Sequence, residues 1–106
     1  MRIMEILKEK GTPVTIFGNE YSLTISLKTM AKIEEKLGDL AQLMLNYKTI
    51  PTIVSLMVDD YCDHHPEAKR INEDEIVEGF DASDVMYFQR LIINILNPQD
   101  ESLKNG

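Results

Sequence analysis

The stretch Gly18–Asp39, GNEYSLTISLKTMAKIEEKLGD, decides the fold, because a two-residue period passes into a helical one with no loop between. The Gly18-Asn19 pair tolerates positive φ and predicts a two-residue hairpin turn that sets Ile16 opposite Tyr21 and Val14 opposite Leu23. Val14, Ile16, Tyr21, Leu23 and Ile25 then share one face, and Thr15, Ser22, Thr24 and Ser26 the other, as in a sheet wetted on one side. Phe17 is the exception, an apolar residue at the turn on the polar face. From Ser26, a residue type that caps helices, the period becomes helical, with Leu27, Met30, Ile33 and Leu37 inward. Lys28, Lys32, Glu35 and Lys36 point outward, and Gly38 ends the helix, completing a ββα unit.

A two-stranded hairpin is marginal alone and leaves both edges open, so helices must cover it. Asp39–Tyr47 supplies a short segment with Leu40, Leu43 and Met44 on one side. Pro51 to about Asp63 begins with a proline suited to a first helical turn. Asn72 and Glu75 have the spacing of a capping box, with a short helix following to Gly79. Asp81–Asn97 is the last helix, capped by Asp81 or Ser83 and stopped before Pro98. The expected fold is α+β: an N-terminal β-hairpin packed on a mostly α-helical domain of about four helices. One domain spans 12–98, preceded by a flexible or amphipathic arm at 1–11 and followed by a disordered tail at 99–106.

Composition narrows the function classes. A chain of 106 residues, 43% hydrophobic and 27% charged, fits one modest core. A lone Cys62 rules out an intramolecular disulfide, and with neither a secretory leader nor a membrane-spanning apolar run, the cytoplasm is the expected location. The formal charge of −7 is local: Asp59–Asp84 carries ten acids against Lys69 and Arg70, a balance of −8, and the rest of the chain sums to +1. That balance argues against binding nucleic acid through its phosphates. It suits first a solvated surface that maintains solubility, and permits a basic protein partner.

In the last helix, polar groups keep to a narrow stripe through Arg90, Asn94 and Asn97, while apolar side chains cover most of the circumference. Pro51–Asp63 is similarly broad, with Ile53, Val54, Leu56, Met57, Val58 and Tyr61. Either one such helix is the central strut of the core, or part of this surface meets another subunit or a partner. Phe88, Leu91, Ile92 and Ile95, together with Met57 and Tyr61, are the candidate partner-binding residues.

The densest polar cluster is DDYCDHHPE, containing Asp59, Asp60, Cys62, Asp63, His64, His65 and Glu67. These residue types bind zinc, but adjacent histidines point to different faces of a helix, and the chain has no CxxC or HxxxH pair. Acidic neighbours raise the pKa of Cys62 and disfavour the thiolate nucleophile. GxSxG, Walker and GxGxxG motifs are absent. No catalytic, cofactor-binding or metal-ligating residue is assigned, although a small metal-dependent enzyme around His64 and His65 stays open as a third class.

The run FGNEYSLTISLKTMAKIEEKLGDLAQLM resembles the opening of the tail assembly chaperones of long-tailed bacteriophages and prophages. In that family a G-x-x-Y-x-L strand leads into a helix with an A-x-x-E-x-x-x-G signature; here these are Gly18, Tyr21 and Leu23, then Ala31, Glu34 and Gly38, with Leu40 opening the next segment. The resemblance covers about half the domain. It implies a non-enzymatic protein of the bacterial host cytoplasm that coats the tape-measure protein and recruits tail-tube subunits during virion morphogenesis. It also implies a longer form made by frameshifting beyond the tail Gln99–Gly106; the exposed hairpin edge, for its part, permits head-to-tail self-association. The alternative is an unrelated cytoplasmic adaptor or regulator that acts as a homodimer.

Overall fold

The computed structural model describes residues 11–97. The arm and the tail read from the sequence therefore lie outside the described residues, apart from Gly11. An antiparallel hairpin of β1 (Thr12–Ile16) and β2 (Asn19–Leu23) is followed by α1 (Leu27–Leu37), a 3-10 turn at Leu40–Gln42, α2 (Ile50–His64), α3 (Glu73–Gly79) and α4 (Ala82–Leu96). The architecture is the α+β class expected, a two-stranded sheet laid on helices.

The hairpin corrects the predicted register. Val14 pairs with Tyr21, Thr12 with Leu23 and Ile16 with Asn19, so the turn residues are Phe17 and Gly18, one position earlier than predicted. Both have positive φ, 52° and 83°, as a type I′ turn requires. Glycine adopts that conformation freely, whereas Phe17 needs a compensating contact. It has one: its ring packs edge-on to Phe80 with centroids 5.9 Å apart, and it lies so close to Gly79 that a Cβ there would meet ring atoms at 2.5 Å. Asn19 reinforces the turn, its side-chain amide donating to the carbonyls of Ile16 (3.4 Å) and Phe17 (3.3 Å). The partner of each residue moves by two positions, an even number, so both faces survive: Val14, Ile16, Tyr21, Leu23 and Ile25 are all buried. Pro13 sits opposite Ser22, a non-hydrogen-bonded pair in this register, so the missing N–H falls on the open edge.

Ser26 caps α1, its Oγ accepting from the Thr29 amide at 3.1 Å and donating to Thr29 Oγ1. Gly38 closes the helix at φ 95°. Leu27 corrects the expected inner stripe, because it is 82% exposed and Thr29 is buried in its place. At 100° per residue, Leu27 stands about 120° round the helix from the buried Ile33, whereas Thr29 and Leu37 stand within about 40°. In the next segment Asp39 caps only a short 3-10 turn; Leu40, Leu43 and Leu45 pack inward and Met44 is exposed.

The lead into α2 is built by Asn46 and Thr49. Asn46 Oδ1 accepts from the amides of Lys48 (2.8 Å) and Thr49 (3.2 Å), and Thr49 Oγ1 accepts from the Asn46 amide and donates to the Met44 carbonyl. Pro51 lies in the first turn of α2, where its missing N–H removes no helical bond. Ten of the fifteen α2 residues are buried, with Ile50, Ile53, Val54 and Val58 fully so. The hairpin face, Ile33 of α1, Ile76 of α3, and Phe88, Leu91 and Ile92 of α4 complete the same core. Of the two broad apolar helices, α2 is thus the strut, and α4 is a flank with Met86, Tyr87, Ile93 and Leu96 exposed.

Ile53→Ala should lower unfolding stability by about 3 kcal/mol, since it deletes a fully buried side chain, while Leu27→Ala should stay within about 0.5 kcal/mol of the parent. Urea denaturation of the two variants checks this, and equal losses would place Leu27 inside the core.

Candidate functional site

The acid-rich second half forms two capped helices that meet at a corner. Asn72 and Glu75 close a capping box on α3, and Asp81 and Asp84 close another on α4, each with reciprocal side-chain-to-amide bonds of 2.9–3.0 Å. Between them the chain turns at Phe80, which stacks on Phe88 at 5.3 Å and 15° and so anchors the corner to the core. The corner leaves a groove of about 530 Å³ between the start of α2, α3 and the start of α4. Tyr47, Pro51, Val77, Phe80, Val85 and Met86 supply its apolar lining, with Asp81 among the other residues that line it. Three of these are large apolar side chains well exposed to solvent: Tyr47 (70%), Val77 (58%) and Met86 (54%). Such a run of exposed apolar surface beside charged residues is what a docking site requires.

The candidate partner-binding residues divide differently. Met57, Phe88, Leu91 and Ile92 are buried in the core, and Ile95 packs partly against it. Tyr61 and Met57 line a groove of about 610 Å³ with Ser22, Asp60, His64 and His65, and Leu91 lines a smaller one with Thr12, Tyr87, Arg90 and Asn94. The exposed apolar residues of α4 are instead Met86, Tyr87 and Ile93, turned away from Ile92, and Leu96, which follows Ile92 on the same side but stands at the end of the helix. Val77, Met86 and Tyr47 were missed. In the sequence, Val77 merely follows the apolar Ile76, and only packing shows that Ile76 is the one turned inward.

The DDYCDHH stretch serves the body of the fold. Arg70 bridges to Asp63 (2.7 Å) and Asp59 (3.3 Å), and Lys28 reaches Asp63 at 3.1 Å, so α1, the end of α2 and the loop before α3 are tied together. Nδ1 of His64 lies 3.0 Å from the carbonyl of Asp60, and Nδ1 of His65 lies 3.0 Å from that of Tyr61. A carbonyl only accepts, so each Nδ1 carries the donated proton. The His65 ring also stacks on Tyr61 at 4.0 Å. Among the described residues, no three His, Cys, Asp or Glu side chains converge as metal ligands would. Cys62 is buried, and burial pushes its thiol above the ordinary value, with Asp59, Asp63 and Glu67 adding to the rise against a lowering by Arg70. Burial likewise raises the Tyr21 hydroxyl, which donates to the Lys69 carbonyl at 2.5 Å and ties β2 to the loop before α3. No helix among the described residues is long and apolar enough to cross a membrane.

Of the residues that carry the phage-chaperone resemblance, Gly18 and Gly38 have positive φ, and Tyr21 and Leu23 are buried. Ala31 and Glu34 lie exposed on α1. No family model, characterised protein or solved structure matches the chain.

The hydrogen bonds from Arg70 and Lys28 hold the Asp63 carboxyl at about 2, below its ordinary 3.8. A depressed folded-state value means that the contribution is full above the unfolded value and is lost as the pH falls from near 3.8 towards 2. Asp63→Asn should therefore flatten the acid limb of the Tm-against-pH curve in that window. Thermal melts of both proteins between neutral pH and pH 2 test this, and parallel acid limbs would contradict it.

Proposed function

We propose that this protein is a tail assembly chaperone of a long-tailed phage or prophage, a non-enzymatic cover for the tape-measure protein that also engages tail-tube subunits. One observation carries the proposal: the apolar groove at the α2, α3 and α4 corner, with Tyr47, Val77 and Met86 open to solvent. A protein that keeps a long helical partner soluble must offer apolar surface in water without aggregating itself. The acids along the same segment, a balance of −8 over Asp59–Asp84, give it the charge to do so. The Gly18, Tyr21, Leu23, Ala31, Glu34 and Gly38 pattern supplies the link to phage tails in particular.

A second reading, a cytoplasmic adaptor acting as a homodimer, is favoured by the exposed Ile93 and Leu96 of α4, which a second copy could cover.

Co-expression with the tape-measure protein of the same particle separates the two. The chaperone reading expects the large protein to stay soluble and to elute with several copies of this one, by affinity capture and light scattering. Paired Val77→Asp and Met86→Asp substitutions should abolish capture while leaving the circular dichroism unchanged. Phe88→Asp with Ile92→Asp should instead unfold the chain, because both side chains are in the core. A discrete dimer eluting alone beside a precipitated tape-measure protein would support the adaptor.

A further inference from the structure

Resting on the docking reading above, we infer that the α2, α3 and α4 groove takes an amphipathic helix of a partner protein whose apolar stripe is flanked by Lys and Arg. The floor selects the stripe. Pro51, Phe80 and Val85 form its base, and Tyr47, Val77 and Met86 stand exposed beside it. The α3 wall has seven residues, about 10 Å of helix, and so faces about two turns of an occupant. A helix laid there presents apolar side chains at i, i+3 or i+4, and i+7.

The walls select the flanks. Asp81 lines the groove, and Glu73 and Asp74 stand four and three positions before Val77, on its side of α3. Acids therefore lie at both ends of the apolar wall. Two of them are fixed in place: Glu73 accepts from Thr52 Oγ1 at 2.8 Å, beside Pro51, and Asp81 accepts from the Asp84 amide at 3.0 Å. The capping bonds at Asp81 lower its pKa and favour the carboxylate. Arg70, in the same acid-rich segment, is engaged by Asp59 and Asp63. Lys48 follows Tyr47 at the α2 end and lies over the Tyr47 ring, 5.8 Å from its centroid. A helix edged with Glu would meet like charge along α3; one edged with Lys and Arg would meet opposite charge within a Debye length.

The test uses the full chain and two labelled synthetic helical peptides with the same Leu and Met stripe, one flanked by Lys and Arg, the other by Glu. Fluorescence anisotropy should show the basic peptide binding at least about tenfold tighter at low salt, with most of that preference lost at high salt. Val77→Lys, which removes an apolar contact and inverts the local charge, should abolish binding of the basic peptide with the circular dichroism unchanged. Equal affinity for the two peptides would overturn the charge selection while leaving groove docking in place. Binding of the basic peptide unaffected by Val77→Lys would overturn the site. If neither peptide binds but the chain still captures the tape-measure protein, this inference fails and the chaperone reading stands; if both fail, so does that reading.

Discussion

The constraint on which the rest depends is the near-complete burial of Ile50–His64. A helix with ten of fifteen residues buried cannot be stable in water, and each large apolar side chain it hides contributes about 1.5–3 kcal/mol only once neighbours cover it. The hairpin, α1, α3 and α4 are those neighbours. The hairpin gains as much as it gives, because two strands alone do not hold together and Val14, Ile16, Tyr21 and Leu23 need a surface to lie on. Covering a strut with four separate elements leaves seams, and one apolar seam falls where α3 turns into α4 at Phe80.

Much of this was legible in the residues. The ββα unit, the Asn72–Glu75 capping box, a cap at Asp81, the proline-led central helix and the inner face of the sheet follow from local chemistry, and local chemistry prevails there. The hairpin register did not, because it hinges on a tertiary contact. Gly18-Asn19 is the better turn pair by propensity, but Phe17 accepts a positive φ in exchange for packing on Phe80 and Gly79, residues more than sixty positions away. Leu27 differs for a simpler reason, because an apolar stripe does not fix the phase of a helix at its first residue, and Met44 lies beyond the 3-10 turn, where no helical period applies.

The site was less legible. Both α2 and α4 read as broad apolar helices, and composition does not say which is enclosed; the answer lies in the packing, where α2 meets β2, α1, α3 and α4. Packing then turned Phe88, Leu91 and Ile92 inward and left Met86, Ile93 and Leu96 outside. The resemblance to tail assembly chaperones has a similar division. Gly18, Tyr21, Leu23 and Gly38 set turns and core, duties that any hairpin running into a helix imposes; Ala31 and Glu34 are exposed and carry no evident structural duty. A functional likeness therefore rests on surfaces the motif does not include, the α3 and α4 corner foremost.

The most direct test of the account is amide hydrogen exchange on the chain alone and in complex with the tape-measure protein. The account predicts added protection concentrated in Glu73–Tyr87 and around Tyr47, with α2 already protected in the free chain and little changed. Protection gained along the hairpin edge at Pro13–Ser22, with the α3 and α4 corner unaffected, would contradict it.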